Sequence, residues 1–428
     1  MAKNFLEQFG KIALFREKEQ APGEPQTNSG VSMEFDLGSG LNLSRAIEDD
    51  RDQIRGVEFA TRLYFAGQSA SGKLSQRRAK PDFLTLTMAY FLGEVMSEEL
   101  GSGIYQHTIT ASSALSPASF TLLQRRGNSI LKERFAGNMI DGFSLELGDS
   151  WVGLSADIKG LGKRDVNYYH EIVKAPANST QISLSENGIE GANEAERIEN
   201  VFRVRARDAG SQVWKVCKVI SVSQGAPALI TIEEPVGQSE EMIDFHIDYV
   251  PIEPAWCEFP SELDESPLRL VDAKVIVDGY FNGSEVLGGE LISNDLLSFS
   301  IQGRNNLEIR KLADGSNQLC ASDAVRAQRE INIRLSERLR NTIRQWQAEH
   351  PETEQISVYL KIRGAEIVPQ SGYYFGADLV FPKCGILNSA IAVNGKFLAQ
   401  DGDLLVMDDG TYGGVWVRTW NQVSNYLG

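Results

Sequence analysis

Residues 67–73, GQSASGK, come closer to a reactive motif than any other segment, because they match the opening of a phosphate-binding loop after a predicted strand at 58–67. Such a loop cradles phosphate with backbone N–H groups, and a Ser or Thr directly after its lysine holds magnesium. Here Leu74 takes that position, and residues 75–80 are polar and basic rather than an amphipathic helix. We therefore interpret the segment as a flexible Gly/Ser loop without a nucleotide site.

Histidine chemistry is the next candidate, and the four histidines are scattered along the chain: His107, His170, His246 and His350. None forms an HExxH motif or a pair four residues apart, so the sequence does not indicate a metal site. We interpret His107 as a structural residue within a predicted strand. Spacing leaves a Ser–His–Asp triad open, since such triads assemble only in the folded chain, although no serine lies in a GxSxG elbow.

Cysteine and carboxylate patterns also predict no site. The four cysteines are far from CxxC spacing, which argues against a zinc or redox motif: Cys217, Cys257, Cys320 and Cys384. The carboxylate pairs at 49/50, 401/403 and 408/409 could serve acid–base chemistry or calcium, but the last two lie in predicted turns, where solvated Asp is usual. The sequence therefore predicts no catalytic, cofactor-binding or metal residue and no enzyme.

Charge and length limit the classes of protein further. The 428 residues include 42 Lys and Arg against 58 Asp and Glu, a net charge of −16, and the length predicts two to three domains. A surface that grips nucleic acid needs a basic patch, so this composition suits a surface that DNA does not adhere to. We find neither a signal peptide nor an apolar run of about 18 residues, so we expect a soluble chain with no membrane partner.

The elements that must carry these residues are mostly strands. Residues 103–163 read as consecutive strands, and alternation of apolar and polar residues is strongest at 139–147 and 152–158, joined by a tight turn. Residues 81–93 instead begin with Pro-Asp and end with Gly, which predicts a helix. Because this helix is apolar on nearly every side, we expect it to be buried.

The chain before 58 reads as an irregular arm. Short strands are predicted at 11–15 and 31–37 around the polar loop 16–30, and 47–52 reads as a charge-dense loop or helix start. Since little of this region could fold alone, we expect it to dock on neighbouring subunits.

The sequence pattern changes near Tyr168, and this change indicates an inserted β-domain. Short segments separated by turn residues predict strands at 182–184, 201–206, 213–222, 229–232 and 243–250. Residues 256–267 then read as an acidic, proline-containing connector.

The last part returns to amphipathic strands with one helix. The predicted strands lie at 271–277, 297–301, 331–335, 356–362 and 373–382. Leu339, Ile343 and Trp346 have helical spacing, and we expect that helix to end near His350-Pro351. Residues 415–427 show no core pattern. Strands plus one helix in each half indicate two related units, although no clean repeat is visible.

The order of motifs resembles one protein family. Residues 119–163 contain S-F-T-L, G-F-S-L-E-L and W-V-G-L-S-A-D-I-K-G-L-G-K in that order, the helix at 81–93 precedes them, and 329–382 holds a strand, a short helix and GYYFGADLVFP. This arrangement resembles the tail tube, or major tail, proteins of long-tailed phages. Residues 175–254 and the N-terminal arm depart from the family pattern.

The resemblance implies a mainly β fold: a sandwich or barrel with a flanking helix, possibly duplicated, plus an inserted small β-domain. The implied domains are an arm at 1–57, a first tube unit at 58–170, an outward-facing insert at 171–255 and a second tube unit at 256–428. A fold of this kind joins edge strands between subunits, which removes their unpaired backbone groups.

The implied function is structural. Six copies, or three with pseudo-sixfold symmetry, form rings that stack around a negatively charged channel through which DNA passes on ejection. The implied partners are the chain itself, tape measure protein and viral DNA in the channel, and the tail terminator and distal tail proteins; the implied location is the virion tail, after assembly in the host cytoplasm. The alternatives are another virion β-protein (distal tail, tail terminator or capsid decoration) or a β-sandwich carbohydrate-active enzyme or binding module.

Overall fold

The computed structural model describes residues 6–18, 23–51, 59–127, 129–148, 150–207, 213–312, 319–340, 343–394 and 397–427. The chain is mainly β with large antiparallel sheets, which confirms the predicted fold class. Among the described residues, no helix has the length and apolar character needed to cross a membrane.

The first part of the chain contains nine strands and one long helix. In chain order these are β1 (Lys11–Glu17), β2 (Pro25–Met33), β3 (Gly40–Asp49), β4 (Leu63–Gln76), α1 (Pro81–Leu92), β5 (Gly93–Gly101), β6 (Ile104–Ala111), β7 (Phe120–Arg125), β8 (Lys132–Leu147) and β9 (Val152–Val166).

The middle part contains seven strands and a short helix: β10 (Tyr169–Pro176), β11 (Gln181–Ser183), α2 (Glu194–Glu199), β12 (Val201–Ala206), β13 (Lys215–Cys217), β14 (Val219–Val222), β15 (Leu229–Ile232) and β16 (Met242–Tyr249). Single-turn 3₁₀ helices lie at Glu7–Phe9, Ala255–Cys257 and Leu270–Asp272.

The last part contains twelve strands and one helix: β17 (Ala273–Val277), β18 (Tyr280–Phe281), β19 (Val286–Leu287), β20 (Glu290–Leu291), β21 (Leu296–Arg304), β22 (Leu307–Arg310), β23 (Asp323–Arg326), β24 (Glu330–Arg338), α3 (Ile343–Glu349), β25 (Gln355–Glu366), β26 (Tyr374–Asn394), β27 (Phe397–Val406) and β28 (Trp416–Asn421).

The chain divides into two compact units. The smaller unit comprises Met1–Gly10, Leu123–Arg134 and Asp165–Phe259, and the larger unit comprises Lys11–Leu122, Phe135–Arg164 and Pro260–Gly428.

The smaller unit has a core of its own between two sheets. One sheet has the order β10-β16-β12-β13 and the other β11-β15-β14, and side chains of both sheets, such as Phe245 and Ile230, are fully buried in one cluster. The sequence missed α2, although its signal was present. Asn193 accepts a hydrogen bond from the backbone N–H of Glu196 at 3.0 Å, and its side-chain amide donates to the Glu196 carboxylate at 2.8 Å. Asn followed three residues later by Glu is a sequence pattern typical of a helix N-terminus.

The larger unit contains an eight-stranded antiparallel run, β3-β4-β9-β8-β21-β24-β27-β26. The neighbours β8 and β9 are joined by a tight turn, in which the N–H of Gly148 donates to the carbonyl of Trp151 at 3.1 Å. In this run β26 contributes only its later residues, from Cys384 onward.

The run consists of two quartets with the same strand order. Numbered along the chain, β3, β4, β8 and β9 are the first to fourth strands of one quartet, and β21, β24, β26 and β27 are those of the other. Each quartet has the spatial order first-second-fourth-third. In each, the second strand leads into a helix and then a hairpin, α1 with β5–β6 or α3 with β25–β26. The two halves therefore share one topology.

The long predicted helix is confirmed as α1, and all twelve of its residues are buried. Pro81 stands in its first turn, and Gly93 ends it with a φ of 92°, a conformation that favours glycine. The guanidinium of Arg329 donates to the carbonyls of Phe91 and Leu92 at 3.0 Å each, which satisfies carbonyls that the helix end leaves free. A residue of the second half thus caps the helix of the first.

The C-terminal region 415–427 was predicted to lack a core pattern, and this prediction is wrong. Strand β28 inserts between β6 and β26 and pairs with both. Five of its six residues are buried, so both of its faces are covered. Alternation of apolar and polar residues disappears when neither face meets water, and for this reason the sequence pattern did not show the strand.

The N-terminal region also contains regular structure rather than an irregular arm. The segment 47–52, expected to be a loop or helix start, is strand β3 as far as Asp49. Strand β1 pairs with β2, and its buried Glu17 accepts hydrogen bonds from the hydroxyl of Thr121 at 2.6 Å and the N–H of Gly137 at 2.7 Å. These contacts lie within the same chain.

Two buried carboxyl groups meet at the start of α1. The backbone N–H of Asp82 donates to Glu265 at 2.9 Å, and the hydroxyl of Tyr426 donates to the Asp82 carboxylate. One oxygen of each carboxyl group has no hydrogen-bond partner. Burial raises the pKa of Asp82, and burial together with the charge of Asp82 raises the pKa of Glu265 to about 8. The fold therefore favours a proton on Glu265.

This arrangement predicts a loss of stability at alkaline pH. A carboxyl group whose pKa is raised in the folded state binds more protons there than in the unfolded chain, so stability falls as pH rises from the ordinary value of 4.5 through the raised one. We expect Glu265→Gln to flatten this fall in urea titrations between pH 5 and about 8.5. Glu262→Gln, at an exposed neighbouring position, serves as the control. Equal pH slopes in wild type and Glu265→Gln would contradict the assignment.

Candidate assembly interface

The candidate phosphate loop at 67–73 is not a loop, and the prediction of a flexible segment there is wrong. These residues form the middle of β4, where Lys73 lies opposite Asp157 of β9. A Cβ on Gly72 would lie 2.1 Å from the carbonyl oxygen of Gly40, so glycine is required because β3 approaches closely. Small residues that resembled a flexible loop are thus needed for strand pairing. The strand continues past Lys73 to Gln76, where a nucleotide-binding loop would already have begun its helix.

His107 has the structural role that was predicted. It is buried in β6, its Nδ1 lies 2.8 Å from the hydroxyl of Ser97, and its Nε2 lies 3.0 Å from Oδ1 of Asn421. Burial lowers its pKa, which favours the neutral ring. The four cysteines are free thiols, three of them buried.

The carboxylate pairs do not form a shared site. Asp401 and Asp403 lie within β27, not in the predicted turn, whereas Asp408 and Asp409 accept backbone N–H groups in a turn as expected. Among the described residues, no group of three or more His, Cys, Asp or Glu side chains could hold a metal ion. Other features of the larger unit are its surfaces: two strand edges, one sheet face and two hairpin tips.

The first of these surfaces is the outer edge of β3 from Leu43 to Glu48, beside which the described part of the chain places no second strand. Along its whole length β3 pairs with β4 on one side. Strand β28 has both of its sides occupied by β26 and β6, so it offers no partner for β3. The residues from Ser44 to Glu48 are largely exposed. An edge strand with free N–H and C=O groups can accept a further strand.

The second surface is the open edge of β26. Its early residues pair with β25 as far as Gly385, and among the described residues β27 is the strand that pairs with its later part. Leu387, Asn388 and Ile391 are exposed on this later part. β3 and the later part of β26 are thus the two ends of the eight-stranded run.

The junction between the two quartets shows how such edges can meet. The third strand of the first quartet, β8, pairs antiparallel with the first strand of the second quartet, β21, from Phe299↔Leu147 to Arg304↔Gly142. The open edges at the ends of the run are again a third strand, β26, and a first strand, β3. A second copy could therefore repeat the β8–β21 junction as a β26–β3 junction.

One face of the run is polar. Its register places on that face mainly Ser, Asn and Gln together with cationic and anionic side chains in similar numbers, among them Lys73, Lys159, Arg304, Arg334, Arg338, Glu146, Asp157, Glu330, Asp401 and Asp403. Lys159 forms an ion pair with Asp141 at 3.0 Å and Arg334 with Asp403 at 3.0 Å. The face is thus hydroxyl-rich and close to charge balance, while the opposite face contributes Phe143, Ile301 and Leu335 to the core.

Two hairpins carry exposed apolar side chains at opposite ends of the run. The β3–β4 tip presents Ile47, Leu63, Tyr64 and Phe65, and the β26–β27 tip presents Ile391, Val393 and Leu398; Leu63 is 72% and Val393 75% exposed. Every pairing in the run is antiparallel, so successive strands reverse direction. Following these reversals from β3 to β27 places the two tips at opposite ends of the strands.

No family model and no curated protein matches this chain. The interpretation of the edges, the polar face and the tips therefore depends on the geometry of this chain alone. The sequence predicted β8, β9, β21 and β24 of this run, but it missed β3, most of β4, β27 and the later part of β26, and with them the edges. The order of strands in a sheet cannot be read from the hydrophobic periodicity of any single segment.

The close fit at the junction gives a stability test. A Cβ on Gly303 in β21 would lie 2.3 Å from Phe143 Cε1 and 2.7 Å from Phe91 Cζ, whereas a Cβ on Gly402 in β27 would lie 3.7 Å from its nearest neighbour, Leu335. We expect Gly303→Ala to lower the free energy of unfolding by about 1–3 kcal/mol through overpacking. Gly402→Ala, which loses the same unfolded-chain entropy, should be neutral or stabilising in the same denaturant titration. Equal effects would contradict the close packing of β21 on α1 and β8.

Proposed function

We propose that this chain is a structural subunit of a phage tail tube, whose copies join edge to edge into rings that stack into a hollow tube. The observation that carries the proposal is the repeated quartet, which leaves a first strand open at one end of an eight-stranded run and a third strand open at the other. The sequence resemblance to tail tube proteins points the same way.

Because the two ends of the run are different strands, copies can join head to tail and close into a ring. A contact between unlike surfaces is heterologous, and it closes into a ring when the rotation per step divides a full turn. Within one chain, the β8–β21 junction already joins two quartets through a contact of this kind. If β26 of one copy pairs with β3 of the next in the same way, every step is equivalent. Three copies then form a ring with pseudo-sixfold symmetry, the smaller of the two stoichiometries that the resemblance implies.

The polar face would line the channel in this arrangement, since the apolar face packs against the helices. The hydroxyl groups and paired charges on that face offer DNA no basic track, so DNA is not held through counterion release. The wall we propose is hydroxyl-rich and weakly acidic, and most of the net charge of −16 lies elsewhere. Viral DNA and tape measure protein are the proposed occupants of the channel.

Stacking would use the two apolar tips. Because they lie at opposite ends of the run, head-to-tail stacking brings the β3–β4 tip of one ring to the β26–β27 tip of the next. Burial of apolar surface stabilises such a contact by about 25 cal/mol per Å². At the ends of the tube, the proposed partners are tail terminator and distal tail proteins.

Ring closure can be blocked without damaging the run itself. Leu387 occupies a register shift between β26 and β27, where the ladder of this chain is already interrupted. We expect Leu387→Pro to fold, with a circular dichroism spectrum like that of the wild type, but to remain monomeric in sedimentation and electron microscopy, because proline blocks an added strand.

The matched control is Leu387→Ser, which removes the apolar side chain but keeps the N–H group; it should still form rings. Ala46→Pro, at the register shift of β3, tests the other edge in the same way. Normal rings from both proline variants, or a wild-type chain that stays monomeric at high concentration, would overturn the proposal.

Stacking is tested separately at the tips. We expect the double variant Leu63→Ser and Phe65→Ser to form single rings that do not extend into tubes, because the apolar contact between rings is lost. Electron microscopy measures the ratio of rings to tubes. The control, Ser71→Thr on the polar face of β4, should give tubes like the wild type. Wild-type rings that never stack would instead favour a tail terminator or distal tail role.

A further inference from the structure

The smaller unit brings together two of the histidines that are far apart in the sequence. His170 lies in β10 and His246 in β16, at diagonal positions of paired strands, since His170 is opposite Asp248 and Ile172 is opposite His246. Nε2 of His170 and Nδ1 of His246 are 3.3 Å apart. The His170 side chain is 44% exposed, so water reaches the pair.

We propose that His170 and His246 bind a divalent transition-metal ion of the zinc class through Nε2 and Nδ1 respectively. Two imidazole nitrogens that bind zinc at about 2.0–2.1 Å in tetrahedral geometry are separated by roughly 3.3–3.4 Å. The observed spacing of 3.3 Å already fits this edge of the tetrahedron. The site is assigned in the smaller unit alone and does not depend on the proposed tube.

The neighbours of His170 prepare it as a ligand. Its Nδ1 lies 2.7 Å from Oδ1 of Asp248, and Oδ2 of Asp248 is held by Arg203 at 2.6 Å. A carboxylate on the second ring nitrogen is the usual support for a metal-bound histidine, because it fixes the tautomer and orients the ring. With the proton on Nδ1, the lone pair of His170 Nε2 faces His246.

His246 is held by aromatic packing. The ring of Trp214 meets it edge to face, with centroids 4.9 Å apart. On metal binding, the proton between the two rings moves from Nδ1 to Nε2 of His246, and the ion takes its place without a net change in protons on the pair.

The site supplies two protein ligands, one fewer than the zinc sites that keep an open position, and water would fill the remaining positions. We therefore expect reversible binding. Arg205 opposes the ion, since its charge acts on His246 and its guanidinium lies 4.7 Å from the ring of Trp214. Asp244 and Asp248 act on His246 with the opposite sign.

Calorimetric titration of the full chain with Zn²⁺ at pH 7.5 tests the site. We expect one ion per chain, and loss of this binding in both His170→Ala and His246→Ala, each checked for folding by circular dichroism. His350→Ala, which removes an exposed histidine outside the pair, should bind like the wild type. Stoichiometric binding that survives in both pair variants, or no binding to the wild type, overturns the proposal.

Two further variants separate ligation from a general effect on folding. Asp248→Asn should weaken zinc about 10–100-fold, as loss of a supporting carboxylate does. Arg205→Gln should strengthen zinc binding, because an opposing charge is removed. Weaker binding in Arg205→Gln, or unchanged affinity in Asp248→Asn, contradicts the assigned roles.

Discussion

The need of every strand edge for hydrogen-bond partners is the constraint on which this structure depends. Inside the larger unit the requirement is met strand by strand, and β28, the last strand of the chain, fills the gap between β6 and β26. The β8–β21 junction meets the same requirement between the two quartets. Beside the two ends of the run, the described residues place no second partner strand. In the proposed tube, a second copy would pair there, so assembly and folding would use one interaction.

The junction is supported from behind by α1. This helix is buried on all sides, and Arg329 and Asn305 of the second half bind the carbonyl of Phe91 at its end. Burial lowers the pKa of Arg329 to about 10, yet the group remains charged at neutral pH and keeps these hydrogen bonds. The core of the first quartet is thus completed by residues of the second, so the two halves are joined by more than one strand pair.

The larger unit holds buried titratable groups in hydrogen bonds. The carboxylate of Asp82 accepts from Tyr426, its backbone N–H donates to Glu265, and the ring of His107 lies against Asn421. The polar face of the run exposes hydroxyl groups and paired charges. The smaller unit differs, because its sheet places two imidazoles side by side on a surface open to water.

The sequence by itself determined the mainly β class, helix α1 with its proline and glycine limits, and strands such as β12 and β15, because each of these depends on local period and on residues with special backbone angles. It also indicated the structural role of His107. It gave β4 at 67–73 as a loop, because the small residues needed for close strand contact do not alternate between apolar and polar. It also found no core pattern in the C-terminal strand, because a strand covered on both faces lacks that alternation too. Strand order, the open edges and the meeting of His170 with His246 were decided only by the tertiary structure, since pairing between distant segments follows from how all the strands pack together.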